Sequence, residues 1–230
     1  MTTAVIVFPG TNCEQDTEYA LNMVGLDAEL VWHRDTDLSG ADSVVLPGGF
    51  AHGDYLRTGA IARFSPIMKE VESLAATGVP VLGICNGFQI LCEAGILGGA
   101  LVANQDLKFI CKPVTLRVES TDSVLTAAAT VGQVLQIPLN SYEGNYITQD
   151  SPSHNGDDRV VLRYCDTDGS LTAAANPNGS TQAIAGIANS RGNVAGLMPH
   201  PERAIESILG SEDGRVLFES FAASVSSVTT

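Results

Sequence analysis

Short apolar runs alternate with amphipathic segments through the first hundred residues of the chain. Apolar runs of strand length occupy residues 4–8, 28–32, 43–46 and 81–84. Between them, apolar residues recur at a helical spacing, which predicts helices over residues 14–24, 66–77 and 86–94. Strands that alternate with helices predict an α/β fold: an open, mostly parallel sheet, flavodoxin-like or Rossmann-like, with helices on both faces.

Glycine, serine and proline mark the predicted helix ends. Gly25, Gly78 and Gly95 each follow a helical stretch, where a glycine commonly ends a helix. Ser65 and Pro66 fit the N-cap and the first helical position of the middle helix. That helix is therefore expected to begin at Pro66.

Alternation replaces the helical pattern after residue 99. Val114, Leu116 and Val118 stand between polar residues, and residues 160–164 repeat the arrangement. An apolar residue at every second position is typical of a strand with one buried face. The second half is therefore expected to add antiparallel strands to the sheet.

Further elements are predicted toward the carboxyl terminus. Residues 176–179, Asn-Pro-Asn-Gly, predict a turn between two alanine-rich strands at 171–175 and 183–187. Residues 194–198 form another apolar run, and residues 215–225 predict a final helix with one apolar face.

The charge and hydropathy of the chain exclude two classes of partner. The 230 residues carry a formal net charge of −14, which opposes contact with phosphates. The apolar content of 44% supports a large core, but the apolar runs are far too short to span a bilayer. We therefore expect a single domain over residues 1–230 that binds neither nucleic acid nor membrane.

Cysteine usage indicates the compartment. Five cysteines, an odd number without metal-like spacing, argue against a disulfide scaffold and predict a reducing environment with no metal site. No basic segment precedes the first apolar run, so no signal peptide is predicted and a cytoplasmic protein is expected.

Cys85 stands between the apolar run 81–84 and the predicted helix 86–94, with Gly83 and Gly87 two residues away on either side. This is the spacing of a nucleophile elbow, in which glycines relieve crowding at a sharp strand-to-helix turn. Unpaired N–H groups at the start of a helix favour a thiolate. The alternative is a core cysteine without a chemical role, and the paired glycines favour the nucleophile.

Pro199-His200-Pro201-Glu202 is the second candidate for chemistry. Pro201 disfavours a helical conformation at His200, which predicts an extended segment. Side chains two apart on an extended segment share a face, so the Glu202 carboxylate is expected beside the His200 imidazole. A base with an orienting acid is what a cysteine nucleophile needs, although His200 could also be a surface histidine.

A thiolate, an imidazole and a carboxylate suit acyl transfer through a thioester. The oxyanion of that reaction needs preorganised donors, and the N–H of Asn86 and the Gly48-Gly49 loop are candidates. Because open parallel sheets bind ligands at the carboxyl ends of their strands, Gly49 and Cys85 are expected in one crevice.

The remaining histidines and cysteines have weaker signals. His33 and His154 stand in polar contexts and are expected to be solvated, whereas His52 is a minor candidate for the crevice. Packing roles are expected for three further cysteines: Cys92, Cys111 and Cys165.

The elbow segment 83–89 resembles the nucleophile motif of class I, triad-type glutamine amidotransferases, and segment 199–202 resembles their His–Glu motif. Other segments are similar to the family of glutaminase subunits of phosphoribosylformylglycinamidine synthases, which serve purine biosynthesis. These segments are 48–62, 109–112, 143–146 and 197–203. They cover nearly the whole chain in the order of that family.

The resemblance implies hydrolysis of L-glutamine to glutamate and ammonia by Cys85, His200 and Glu202. It also implies three residues that bind rather than react: Gly49 and Asn86 in the oxyanion hole, and Gln89 as a glutamine contact.

The resemblance further implies the partners. The ammonia passes to a large synthetase subunit that uses ATP and Mg²⁺, usually with a small third subunit, so no cofactor is expected in this chain. A P-loop is absent from the sequence, in keeping with ATP being handled elsewhere.

One departure and two alternatives stay open. The family usually reads Ala-His-Gly-Glu-Gly where this chain has Asn-Ser-Tyr-Glu-Gly at residues 140–144, which leaves that loop's role in substrate closure or docking undecided. A non-catalytic regulatory subunit on the same fold is one alternative, which the intact Cys85, His200 and Glu202 argue against. Another cysteine hydrolase, with its acid on an early loop, is the second.

Overall fold

The computed structural model describes residues 1–148 and 158–228 of the chain. Their strands are β1 (Thr2–Val7), β2 (Asp27–Trp32), β3 (Ser43–Leu46), β4 (Val81–Ile84), β5 (Ala100–Val102), β6 (Ile110–Val118), β7 (Val134–Ser141), β8 (Asn145–Ile147), β9 (Asp158–Tyr164), β10 (Ile184–Asn189) and β11 (Val194–Leu197). The α-helices are α1 (Glu14–Met23), α2 (Met68–Thr77), α3 (Asn86–Glu93) and α4 (Arg215–Val228). None of these helices is long and apolar enough to cross a membrane.

Nine strands form one mixed sheet in the order β2-β1-β3-β4-β11-β10-β9-β6-β7. From β2 to β11 all neighbours are parallel. From β11 to β7 all neighbours are antiparallel, and β5 and β8 form a separate antiparallel pair. The predicted α/β fold, a parallel sheet extended by antiparallel strands, is confirmed.

The centre of the sheet is fully buried. Every residue of β3, β4 and β11 is buried. Because successive side chains of a strand point to opposite faces, both faces of this part of the sheet are covered. These three neighbouring parallel strands therefore end at one edge of the sheet on a rigid support.

The predicted burial patterns of β6 and α4 are confirmed, whereas in β9 the alternation holds only in part, since Val160 is half-buried and Val161 is buried. In β6, Val114, Leu116 and Val118 are buried between less buried neighbours. In α4, the inward face is fully buried and consists of Leu217, Phe218, Phe221 and Val225. The buried faces of β6 and α4 are therefore the ones that the spacing of apolar residues predicts.

The predicted strand at residues 171–175 is wrong. Leu171 is 45% exposed, and the N–H of Ala175 donates to the carbonyl oxygen of Thr172 at 3.3 Å. The Thr172 hydroxyl donates to the Asp166 carboxylate at 2.7 Å. The alanines here are exposed and their hydrogen bonds are local, so the segment folds as a turn.

Helix α2 begins at Met68 and not at Pro66, so the N-cap prediction for Ser65 is wrong. The Ser65 hydroxyl lies 2.9 Å from His33 Nδ1 and caps nothing. His33 is itself 6% exposed, which corrects the expectation that it is solvated. The predicted end of the helix is confirmed, since Gly78 adopts a left-handed conformation with φ +102°.

Strand β7 was not predicted, because Pro138 interrupts the alternation of its buried residues Leu135, Ile137 and Leu139. Pro138 of β7 stands opposite Pro113 of β6 in the antiparallel ladder. Proline is tolerated here because β7 is the edge of the sheet, and because β6 pairs with β9 only through residues 116–118. The end of β7 leads directly to the loop at residues 140–144.

Candidate active site

A cavity of about 280 Å³ opens at the edge of the sheet where the central parallel strands end. Gly49 follows β3, Cys85 follows β4 and His200 follows β11, and all three residues line the cavity. This confirms the expected convergence of the glycine loop and the elbow at the carboxyl ends of parallel strands.

The elbow at Cys85 has a strained backbone. Cys85 has φ +48° and ψ −103° and directly precedes α3. Its N–H donates to the carbonyl oxygen of Leu197 in β11 at 2.8 Å, which ties the turn to the neighbouring strand. Its thiol is 6% exposed and donates to the carbonyl oxygen of Asn140 at 3.7 Å. Such backbone strain costs about 1–3 kcal/mol and is typical of functional sites.

The two glycines of the elbow are required by close packing. A Cβ on Gly83 would lie 2.6 Å from Leu91 Cδ1. A Cβ on Gly87 would overlap the carbonyl oxygen of Leu46 in β3. The close approach of α3 to the sheet therefore depends on both glycines, which is the reason the spacing predicts an elbow.

His200 and Glu202 form a buried pair. His200 Nδ1 lies 2.6 Å from Glu202 Oε1, and the side chains are 3% and 0% exposed. The contact between the two side chains is as predicted. The predicted extended conformation of the segment is wrong, because Pro201–Arg203 is a 3-10 turn. The N–H of Arg203 donates to the His200 carbonyl oxygen at 3.2 Å, and this turn brings the carboxylate back toward the imidazole.

The electrostatics of the pair favour a charged imidazole. Burial is the largest influence on the pKa of His200 and lowers it, but Glu202, Cys85 and Cys13 together raise the pKa well above its ordinary value. His200 Nε2 is buried and has no hydrogen-bond partner among the described residues. With Nδ1 engaged by Glu202, Nε2 is the nitrogen that remains for chemistry on the cavity side.

Asn86 links the elbow helix to the glycine loop. Its side-chain oxygen accepts from the N–H of Ala51 at 3.0 Å, and its amide nitrogen donates to Gln89 Oε1 at 3.0 Å. Gly49 has φ +155°, and a Cβ there would lie 2.6 Å from Thr11 Cα. Within the described residues, the amides of Gly49 and Asn86 donate to no partner outside their own elements. Both N–H groups are thus free to serve an oxyanion.

Gln89 lines the same cavity from α3 and is 4% exposed. Its side-chain nitrogen donates to the carbonyl oxygen of Glu143 at 2.6 Å. Gln89 therefore holds the 140–144 loop against the elbow helix, and both polar atoms of its side chain are engaged within the protein.

Cys13 is a second buried thiol in the cavity wall that the sequence did not single out. Its Sγ lies 4.0 Å from His200 Nδ1 and accepts from Arg203 Nη2 at 3.2 Å. Cys13 follows β1, another parallel strand that ends at this edge. That position in the sequence was the signal that could have identified it as a site residue.

Cys13, His200 and Glu202 offer donor atoms within 4.8 Å of one another, and these are donor types that zinc accepts. However, His200 Nδ1 is already engaged by Glu202, and the Arg203 guanidinium beside Cys13 opposes a second cation. Both contacts argue against a metal ion held by Cys13, His200 and Glu202.

Asp54, Ser141 and Glu143 also line the cavity and were not singled out as site residues. Asp54 and Glu143 fall within segments that carried the family resemblance, which was the only signal for them. Their side chains reach the cavity through the loop after β3 and the loop after β7, and neither loop has a periodic pattern to predict it.

Among the described residues, the remaining histidines and cysteines lie outside the cavity. His52 packs edge-on against His33, with ring centroids 5.3 Å apart, in a separate hollow. His154 lies outside the described residues.

Cys165 is buried, as expected of a packing residue, and Cys92 is partly buried, but Cys111 is exposed, so its predicted packing role is wrong. Burial raises the pKa of the Cys92 thiol well above its ordinary value, which makes it a poor nucleophile.

Comparison with known proteins places this geometry in a family. The CobB/CobQ-like glutamine amidotransferase domain matches residues 1–216. Phosphoribosylformylglycinamidine synthase subunit PurQ of Chlorobaculum parvum is 54% identical over 224 residues, which cover 95% of this chain and 88% of the relative. The subunit of the same name from Methanosarcina acetivorans is 52% identical and covers 96% of this chain and 97% of the relative.

A solved structure agrees with these relatives. A chain in the structure of PurLQS from Thermotoga maritima superposes with a TM-score of 0.87 at 42% identity. The match covers 96% of this chain and 97% of that chain.

Proposed function

The chain belongs to the CobB/CobQ-like glutamine amidotransferase family, and we propose that Cys85, His200 and Glu202 are the residues with which it hydrolyses L-glutamine. It is the glutaminase subunit of phosphoribosylformylglycinamidine synthase, an enzyme of purine biosynthesis. The observation that carries the triad is the 2.6 Å contact of the buried Glu202 carboxylate with His200, which lines the same cavity as Cys85.

Before glutamine binds, His200 Nε2 takes the proton of the Cys85 thiol, which gives the charged imidazole that Glu202 stabilises. In the first half of the reaction, the Cys85 thiolate Sγ attacks the side-chain amide carbon of glutamine. When the tetrahedral intermediate collapses, the C–N bond breaks and His200 returns the proton to the leaving nitrogen. Ammonia departs, and a γ-glutamyl thioester remains on Cys85.

In the second half, His200 takes a proton from water, and the hydroxide attacks the thioester carbonyl carbon. The C–S bond breaks, the sulfur regains its proton from His200, and glutamate leaves. Glu202 keeps the proton on Nδ1 and stabilises the imidazolium in both halves.

The N–H groups of Gly49 and Asn86 hold the oxyanion of each tetrahedral intermediate. One such donor is worth about 10²–10³ in rate. The Asn86 side chain fixes the loop that carries Gly49, so both donors are set before substrate binds.

We place the whole chain, residues 1–230, in one amidotransferase domain that is cytoplasmic and holds no cofactor of its own. The ammonia goes to a large synthetase subunit that uses ATP and Mg²⁺, with a small third subunit in the complex. The likeness to a chain of the Thermotoga maritima PurLQS structure supports a complex with the large subunit.

The deciding experiment compares two nitrogen sources in the complex assembled with the synthetase. Cys85→Ala is expected to lower glutamine-dependent synthesis at least about 10³-fold, because the thioester cannot form, and to leave ammonia-dependent synthesis unchanged. Cys111→Ala, which removes an exposed thiol of β6, is the matched control and should retain both activities. Equal loss of both activities in Cys85→Ala would contradict the proposal.

A further inference from the structure

The Asn-Pro-Asn-Gly turn at residues 176–179 reaches the loop that forms one wall of the cavity. Residues 140–144, which we call the wall segment, follow β7, and residues 140–143 line the cavity. Asn178 of the turn is 0% exposed, and its side-chain nitrogen donates to the carbonyl oxygen of Gly144 at 2.7 Å. Its side-chain oxygen accepts from the N–H of Ser180 at 3.1 Å. The turn therefore holds a buried amide group against the end of the wall segment.

Asn104, which follows β5 and is 1% exposed, contacts the wall segment at three places. Its backbone N–H donates to the carbonyl oxygen of Tyr142 at 2.9 Å. Its side-chain nitrogen donates to the carbonyl oxygen of Ser141 at 2.9 Å, and its side-chain oxygen accepts from the N–H of Gly144 at 3.0 Å. The same nitrogen also donates to the carbonyl oxygen of Lys108 at 2.9 Å, so the position of the Asn104 amide is fully determined.

Each carbonyl oxygen from residue 141 to residue 144 thus accepts a hydrogen bond from outside the wall segment. Asn104 donates to the first two, Gln89 to the third at 2.6 Å and Asn178 to the fourth. A buried carbonyl oxygen that loses its donor is costly, so each of these bonds resists displacement of the segment. A Cβ on Gly144 would lie 3.2 Å from Asn178 Nδ2 and 3.3 Å from Asn104 Oδ1, which shows how closely both asparagines approach the backbone.

We infer that Asn104 and Asn178 are positioning residues for the glutaminase reaction: they fix the wall segment, and through it the shape of the cavity that receives glutamine. The wall segment is then a fixed wall and not a lid that closes over substrate. Neither asparagine is among the described residues that line the cavity, so their effect passes through the backbone that they hold. This inference rests on the proposed function, because it assigns the cavity to glutamine.

Kinetics of the complex assembled with the synthetase provide the first test. Asn104→Ala and Asn178→Ala should each raise the KM for L-glutamine about 10-fold, with kcat changed less than about threefold. A displaced wall alters binding, whereas Cys85 and His200 keep their positions because they follow β4 and β11. Ammonia-dependent synthesis bypasses the cavity and should be unchanged in both variants.

Asn193→Ala is the matched control, which separates positioning from stability. Asn193 is 7% exposed, and its side-chain nitrogen donates to the carbonyl oxygens of Ala75 and Val79 at 2.9 and 3.0 Å. It precedes β11 and so lies at the end of that strand opposite the cavity. All three substitutions should lower Tm by similar amounts, about 2–10 °C, but the one at Asn193 should leave KM unchanged. An equal rise in KM in Asn193→Ala, or an unchanged KM in both other variants, would overturn the inference.

Amide hydrogen exchange of the wild-type complex provides a second test that needs no variant to fold. Exchange over residues 140–146 is measured before and after Cys85 has reacted with a glutamine-mimicking electrophile. It should be slow at the start and change less than about twofold on reaction, because the bonds to the wall segment are already in place. Rapid exchange in the unreacted complex, or a slowing of about tenfold or more on reaction, would overturn the inference. A wild-type complex that neither hydrolyses L-glutamine nor reacts at Cys85 would instead refute the proposed function, and exchange in the unreacted complex would still judge the wall.

Discussion

Two groups of ionisable residues at the cavity are built in opposite ways. Cys85, His200 and Glu202, which we call the catalytic group, are almost fully buried, and the charges of His200 and Glu202 meet each other at 2.6 Å. Asp54 and Glu143, which we call the carboxylate pair, are only partly buried and carry two like charges, and neither forms an ion pair within residues 1–148 and 158–228. The catalytic group is balanced before substrate arrives, and the carboxylate pair is not.

The difference indicates which task each group performs. Groups that act on charge developing in a transition state gain from being fixed and compensated in advance. Two like charges held together without a cation lower the stability of the folded state. Substitutions in the catalytic group should therefore change kcat, and substitutions in the carboxylate pair should change stability.

The largest expected effect is that of Glu202→Gln on kcat. The amide removes the charge that orients and stabilises the His200 imidazolium, so kcat should fall about 10²- to 10⁴-fold with KM changed little. Steady-state glutaminase assays of the complex check this, and Glu72→Gln, which alters an exposed carboxylate of α2, is the matched control. A rise in KM without a fall in kcat would place Glu202 with the binding residues and remove the contrast.

An intermediate effect is expected from Gly49→Ala, because Gly49 lies in the loop after β3 that also carries Asp54. Its φ of +155° and the approach of Thr11 Cα to 2.6 Å from a Cβ leave no room for a side chain. The free energy of unfolding should fall by about 1–3 kcal/mol, measured by urea denaturation. Gly25→Ala, at a left-handed glycine with no atom within 4 Å of a Cβ, separates backbone strain from steric overlap. Equal losses in both variants would show that the overlap at Gly49 contributes nothing.

The smallest expected effect is a gain in stability from Asp54→Asn. The folded-state pKa of about 6 exceeds the ordinary 3.8, so the folded chain binds more protons than the unfolded chain between these values. Stability therefore falls as pH rises through this window, and above pH 6 the wild type carries an unfavourable charge. Solvent screening keeps the gain from its removal at about 1 kcal/mol or less, or about 2–4 °C in Tm at most. At pH 4 the difference should shrink, and a variant less stable than wild type at pH 7.5 would contradict the account.

The sequence predicted the parallel half of the sheet well and the antiparallel half poorly, for a physical reason. Strands buried on both faces, such as β4, are continuous apolar runs, and the predicted bounds 81–84 match the structure. Strand β7 lies at an edge, contains Pro138 and has one half-buried face, so its pattern is weak. The alanines at 171–175 resemble a strand in composition but are exposed.

The candidate site divides in the same way. Cys85, His200 and Glu202 have local signals, because spaced glycines and a proline constrain the backbone beside them. Asp54 and Glu143 can be recognised as site residues only when the fold shows that they line one cavity. A single carboxylate on a loop is indistinguishable from a solvated one until the fold shows that a second carboxylate faces it without a cation.

Strand β4 lies between β3 and β11, and β11 is synthesised much later than β4. The site therefore forms only after the ribosome has made the carboxyl-terminal part of the chain. The Cys85 turn is tied by its N–H to Leu197, and the histidine that activates the thiol follows three residues later. A ribosome adds about 5–20 residues per second, so on the order of ten seconds separate the emergence of Cys85 from that of His200. Throughout that interval the nascent chain carries a cysteine without its base, and ammonia release begins only once the carboxyl-terminal quarter has folded into the sheet.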